Sequence, residues 1–137
     1  MLSGTGGNSG TQASTAVIRA LSLGEVRFSD LFQVLWKEFR VSICCGFCLA
    51  AANFIKMMLV DRWLLQNPTV TPQVALVVCA TLVGTVLCAK LVGCALPLLA
   101  KRVGFDPAVM ASPFITTVVD ALSLLVYFAI ATRILGL

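Results

Sequence analysis

The chain has 137 residues, of which 59% are hydrophobic and 12% charged; ten Lys and Arg against six Asp and Glu give +4, and there is no His. A water-soluble domain carries about 25% charged residues, so this composition, with a mean hydropathy of +0.99, excludes disorder, collagen, coiled coil and a disulfide-stapled secreted scaffold. It also excludes His-based catalysis or metal binding, and leaves a one-domain integral membrane protein over residues 1–137.

Residues 1–10 are rich in Gly and Ser and carry no charge. They lack the basic start and apolar core of a signal peptide. The stretch 11–23 reads as a helix in which Gln12, Ser14, Thr15 and Arg19 alternate with Ala13, Val17, Ile18 and Leu21. Its length of about 20 Å falls short of the ~30 Å hydrocarbon core. So polar and short a segment belongs in the centre of a bundle rather than against lipid.

Residues 24–40 form a charged connector, in which Ser29 is expected to cap a short amphipathic helix through Leu31, Leu35 and Phe39. The first full span is 41–59, ended by Asp61, Arg62 and Trp63. Residues 66–69 read as a turn, and Thr71-Pro72 reads as a cap followed by a first-position proline. A second span, 73–100, is interrupted by Pro97 and closed by Lys101-Arg102. Asp106-Pro107 repeats the cap-and-proline start, and a third span runs to about residue 135. The expected architecture is therefore all-α, with about four membrane helices.

The basic residues cluster in 24–40 and in 101–106, whereas the loop at 62–73 has Arg62 alone. Two spans separate the two basic connectors, so both are expected on the cytoplasmic side of the cell membrane. The surplus of positive charge is thus a topological signal, and no nucleic-acid partner is needed to account for it.

Asp120 is the one acid placed within a span; Glu25, Asp30, Glu38, Asp61 and Asp106 sit in connectors or at helix ends. Counted from Asp106 it lies ~21 Å along the third span. A carboxylate at that depth costs about 2.5–3.5 kcal/mol on insertion scales and usually marks an ion or proton path. The competing reading is a hydrogen-bonded Asp packed against a neighbouring helix. Ser112, Thr116, Asp120 and Ser123 share one helical stripe. Pro113 in the same stretch frees a carbonyl one turn earlier. Hydroxyls, a loosened carbonyl and a carboxylate together suit a hydrated cation, although Ser and Thr also serve as small packing residues.

Cys44, Cys45, Cys48, Cys79, Cys88 and Cys94 all fall in spans, with one CxxC and no second set of ligands. They read as small hydrophobes. Lys90 lies too deep to snorkel and is expected to pair with a carbonyl or carboxylate as a structural latch, and Arg19 reads similarly. No nucleophile–base pair is visible, so no enzyme is expected.

Several motifs, in order along nearly the whole chain, resemble the membrane domain of the MgtE magnesium-channel family. They are the run from Gly6 to Thr15 (GGNSGTQAST) with Arg19-Ala20-Leu21 and Gly24-Glu25, then Lys37-Glu38, Leu91-Val92-Gly93 with Leu96-Pro97, and Asp106-Pro107-Ala108 with Pro113, Thr117 and Asp120. The resemblance implies a homodimer with a pore on its two-fold axis. The pore would be lined by the helix at about 8–23, with Asn8, Gln12 and Thr15, and by the Asp120 helix with Ser112. It further implies a divalent cation held by Asp120 and by a backbone carbonyl of Thr116. Thr11 departs from the family pattern, in which a second Asn is common. The family has five membrane helices and usually cytosolic sensing domains; this sequence is expected to lack the first helix and those domains.

Magnesium prefers octahedral oxygen and keeps its waters, so two symmetry-related carboxylates offering −2 would suit it as the transported ion. Manganese, cobalt and calcium accept the same oxygens. The rival expectation is a proton-coupled secondary transporter with Asp120 as its coupling carboxylate. A third is an assembly subunit whose polar stripe only packs helices.

Overall fold

The computed structural model describes residues 2–66, 68, 70–110 and 113–136, apart from the side chains of residues 2, 3, 110 and 135. Four α-helices account for most of these: α1 (Leu2–Ser22), α2 (Leu31–Lys56), α3 (Pro72–Val103) and α4 (Pro113–Leu135). No strand occurs among the described residues. Short 3₁₀ turns at Phe28–Asp30 and Pro107–Met110 come before α2 and α4, and a π-helical segment, Met57–Leu64, continues α2. Three stretches, Phe28–Leu64, Pro72–Val103 and Pro113–Ile134, are long and apolar enough to cross a membrane. The expectation of an all-α membrane bundle of about four helices is met.

The longest helix, α3, sits at the centre and packs against α1, α2 and α4, while α1 also packs on α4. Its start follows the local chemistry. Pro72 takes the first position, and the Val74 N–H donates to Thr71 Oγ1 at 3.3 Å, filling one of the orphan donors of the first turn. Its end is a left-handed glycine, Gly104 at φ 92, with the Phe105 N–H donating back to the Ala100 carbonyl at 2.9 Å. α1 ends in the same way at Gly24, φ 72, where the Glu25 N–H donates to the Ala20 carbonyl at 3.0 Å. The two ends are tied together. Lys101 Nζ donates to the Leu21 carbonyl at 3.4 Å, and the Arg102 guanidinium lies 4.4 Å from the centre of the Phe28 ring.

The interior is built on small residues. Gly10 of α1 and Gly93 of α3 meet backbone to backbone, and a Cβ on Gly93 would overlap the Gly10 carbonyl. A Cβ on Gly6 would lie 2.6 Å from Thr85 Cγ2 and 2.9 Å from Ser123 Oγ. Within a bilayer, where burying apolar surface against apolar surface drives little, such close approach supplies the dispersion contact that holds helices together. Below this crossing Ala13, Val17 and Leu21 pack on Cys94 and Leu98, joined by Leu31, Val34 and Leu35 from the start of α2. On the other side of α3, Ala89 packs on Ile115 and Val119 of α4.

Several boundaries differ from the sequence reading. α1 is not confined to 11–23 but begins at Leu2, and its 21 residues span about 31 Å, close to the hydrocarbon thickness. The amphipathic stretch after residue 30 and the following span are one continuous helix, α2. Ser29 does not cap it; Asp30 Oδ2 accepts the Arg27 N–H at 3.0 Å and closes the preceding turn. Pro97 is buried inside α3 without ending it, and its missing N–H leaves the Gly93 carbonyl without a helical donor. Asp106-Pro107 opens a 3₁₀ turn, with the Ala108 N–H donating to Asp106 Oδ1 at 2.9 Å, and the described part of α4 starts at Pro113.

Candidate cation site

Asp120 sits about two turns after Pro113, the first described residue of α4. The Pro113 carbonyl is claimed twice: Thr116 Oγ1 donates to it at 3.0 Å and Thr117 Oγ1 at 2.8 Å. The Thr116 carbonyl, four residues before Asp120, is placed to accept the Asp120 N–H in the helix.

Thr116 and Asp120 are half-buried along the edge of α4 that faces α1. The neighbour is Gly7: a Cβ there would lie 3.4 Å from Thr116 Cγ2 and 3.7 Å from Asp120 Oδ1. The absence of a side chain at position 7 is what leaves room beside the carboxylate. Ser123, on the same stripe, is buried against Gly6 and donates to the Val119 carbonyl at 2.7 Å. It belongs to the helix packing and not to the site. Ser112 lies outside the described residues.

Among the described residues, Asp120 has no ion-pair partner. The two ion pairs among the described residues are Lys56–Asp61 at 2.8 Å and Lys90–Glu38 at 3.4 Å. No group of three or more Cys, Asp and Glu that could hold a metal occurs among the described residues. A single chain therefore offers at this place one carboxylate and backbone oxygens, not a closed cage.

On α1 the polar side chains Asn8, Gln12, Thr15 and Arg19 are all exposed, while Gly6, Gly7, Gly10, Ala13, Ser14 and Val17 are buried. The four exposed residues are spaced by four, three and four, so they form one stripe along the helix. Thr15 Oγ1 donates to the Thr11 carbonyl at 2.8 Å. Asn8, next in sequence to Gly7, is turned about 100° from it around the helix, so the stripe faces away from the surface that α1 buries against α3 and α4. The exposed face of α1 is thus polar over most of its length in a molecule whose other exposed faces carry Phe32, Trp36, Phe47, Ile55, Leu125 and Phe128.

Lys90 has the carboxylate partner its depth calls for, Glu38 of α2, with side chains only 14% and 17% exposed. Arg19 does not; no ion pair or side-chain hydrogen bond to it occurs among the described residues. Among the cysteines, Cys94 is buried, Cys44 and Cys48 are exposed, and Cys79 Sγ donates to the Ala50 carbonyl at 3.3 Å. The glycines at 6, 7, 10 and 93 were not read from the sequence as contact positions. The spacing Gly6-x-x-x-Gly10 was the available signal, being the small-residue pattern of close membrane-helix crossings.

The MgtE family profile, described as a divalent cation transporter, matches residues 1–130. This chain belongs to the MgtE family. It is 35% identical over 133 residues to the magnesium transporter MgtE of Bacillus subtilis (strain 168), covering 96% of this chain and 28% of that protein. It is 36% identical over 136 residues to the magnesium transporter MgtE of Thermus thermophilus, covering 98% and 28%. The corresponding protein of Enterococcus faecalis is 30% identical over 132 residues. The chain thus spans a little over a quarter of the length of these MgtE relatives, and the matched part is the helical bundle.

Proposed function

We propose that this chain is the ion-conducting membrane part of a magnesium transporter, acting as a homodimer with Asp120 at the centre of a two-fold pore. The observation that carries the reading is the half-buried Asp120 carboxylate, unpaired among the described residues and set against Gly7 of α1, a helix whose exposed face is polar. A lone carboxylate in a membrane helix costs about 2.5–3.5 kcal/mol, and a cation in the path offsets that cost. Two copies across an axis offer −2 to a +2 ion.

The donor set fits magnesium with its waters retained. Magnesium dehydrates reluctantly and takes few protein ligands. One carboxylate per chain, a Thr116 carbonyl and the amide and hydroxyl groups of Asn8, Gln12 and Thr15 can hold the water shell without stripping it. Binding of this kind stays weak enough for the ion to leave, as conduction requires. In this arrangement the connectors 24–40 and 101–106 face the cytoplasm, as their basic residues favour. The chain corresponds to the helical membrane part of the family.

The test is magnesium flux into liposomes carrying the chain, with Asp120→Asn beside it. Flux lost in the variant while the dimer persists supports the reading. Saturable flux that moves protons with the metal and shows no unitary currents supports the carrier alternative, in which Asp120 takes and releases a proton.

A further inference from the structure

Arg19 is the fourth member of the exposed polar stripe of α1, after Asn8, Gln12 and Thr15. It lies about 17 Å along the helix from Asn8, at the end where the basic connectors gather. Its guanidinium has no ion-pair or hydrogen-bond partner among the described residues. The contrast with Lys90, neutralised by Glu38 at 3.4 Å, is direct: one buried cation of the bundle is paired, and this one is left facing outward.

A basic residue in the last turn of a helix ordinarily serves the unsatisfied carbonyls there. At the end of α1 that work is done by other groups. The Glu25 N–H donates to Ala20, the Gly24 N–H to Leu21, the Leu23 N–H to Arg19 and Lys101 Nζ to Leu21. Two of the acids at the same end are also engaged. Asp30 accepts the Arg27 N–H and Asp106 accepts the Ala108 N–H, while Glu25 is exposed on the connector.

We propose that Arg19 sets the electrostatic barrier at the basic-connector mouth of the cation path, limiting how readily divalent cations pass there. The proposal rests on the functional reading above, since the α1 stripe must line the path. Two copies of the guanidinium across an axis would repel a divalent ion over about one Debye length, ~8 Å at physiological salt. They would leave Asp120, some 12 residues of helix away, essentially untouched.

The experiment is magnesium flux in liposomes carrying the full chain, at low and at high monovalent salt, for the parent, Arg19→Gln, Arg19→Lys and Arg19→Glu, each with and without Asp120→Asn. Arg19→Gln is expected to raise flux about tenfold at low salt, Arg19→Glu to raise it further, and Arg19→Lys to stay within about twofold of the parent. The differences are expected to shrink at high salt as the charges are screened. Arg19→Met, matched in length, replaces the Gln variant if that protein does not fold. Flux that depends on Asp120 but is unchanged or lowered in Arg19→Gln at equal melting temperature overturns this proposal alone. A lowered melting temperature with the parent's salt dependence also overturns it, because that is the signature of a structural role. Flux that survives Asp120→Asn in every background overturns the functional reading and this one with it.

Discussion

Gly93 of α3 rests on the peptide of Gly10 in α1, so closely that a methyl group on Gly93 would overlap the Gly10 carbonyl. The crossing fixes the height of α1 relative to α3, and with it the level at which Gly7 meets Asp120. Gly93→Ala is therefore expected to destabilise the bundle by about 1–3 kcal/mol, the usual cost of overpacking. It is also expected to weaken magnesium binding by shifting α1. Gly4, where an added Cβ would meet nothing within 4 Å, is the control. Gly4→Ala is expected to be neutral or stabilising by up to about 1 kcal/mol through helix propensity. Thermal melts in detergent, with and without magnesium, check both.

Asp120→Asn is expected to leave the fold intact. Without divalent cations the variant melts at the parent's temperature or slightly above it, because an uncompensated charge has been removed. With magnesium at about 100 times its dissociation constant the parent gains about 2.7 kcal/mol and the variant gains nothing. A variant that is still stabilised by magnesium places the metal elsewhere.

Lys90 and Glu38 join α3 to α2 where both side chains are mostly withdrawn from solvent. Lys90→Met alone strands the Glu38 carboxylate and is expected to cost about 2–3 kcal/mol, below the range for a fully buried pair. The double variant Lys90→Met with Glu38→Leu is expected to recover most of that loss, and a double-mutant cycle measures the coupling. Lys56–Asp61, whose Lys side chain is 51% exposed, is expected to contribute less than about 1 kcal/mol.

Thr71 caps α3 from an exposed position, so its removal disturbs little else. Thr71→Ala is expected to cost about 1 kcal/mol, and Thr71→Ser or Thr71→Asp to retain the cap. Comparison of melting midpoints across these variants checks it.

Features set by local chemistry were legible in the sequence. Thr71-Pro72 announced the start of α3, and the depth of Lys90 announced a carbonyl or carboxylate partner, which is Glu38. The position of Asp120 within a span was also legible. Asp106-Pro107 has the chemistry of a helix start, and an Asp side chain accepting an N–H two residues on serves a 3₁₀ turn equally well. The Gly-rich residues before Thr11 looked non-helical because each Gly costs a helix about 1 kcal/mol. Contact with Ala89, Thr85, Val119 and Ser123 reverses that preference, and such contact is a property of the bundle, not of the segment. The stripe of Asn8, Gln12 and Thr15 became visible once the rest of α1 was seen to be covered.

The π-helical stretch Met57–Leu64 closes with the Leu65 N–H reaching back five residues to the Val60 carbonyl at 2.9 Å. It also brings Asp61 onto Lys56, a pair that ordinary 3.6-residue turns would hold about 140° apart. Deleting one residue there is expected to let the backbone revert to regular turns with Trp63 and Leu64 close to their present azimuth, because a π segment absorbs about one extra residue. The rim of the bundle at this end is consequently a vernier: span length can change in single-residue steps without disturbing the register on which the cation path depends.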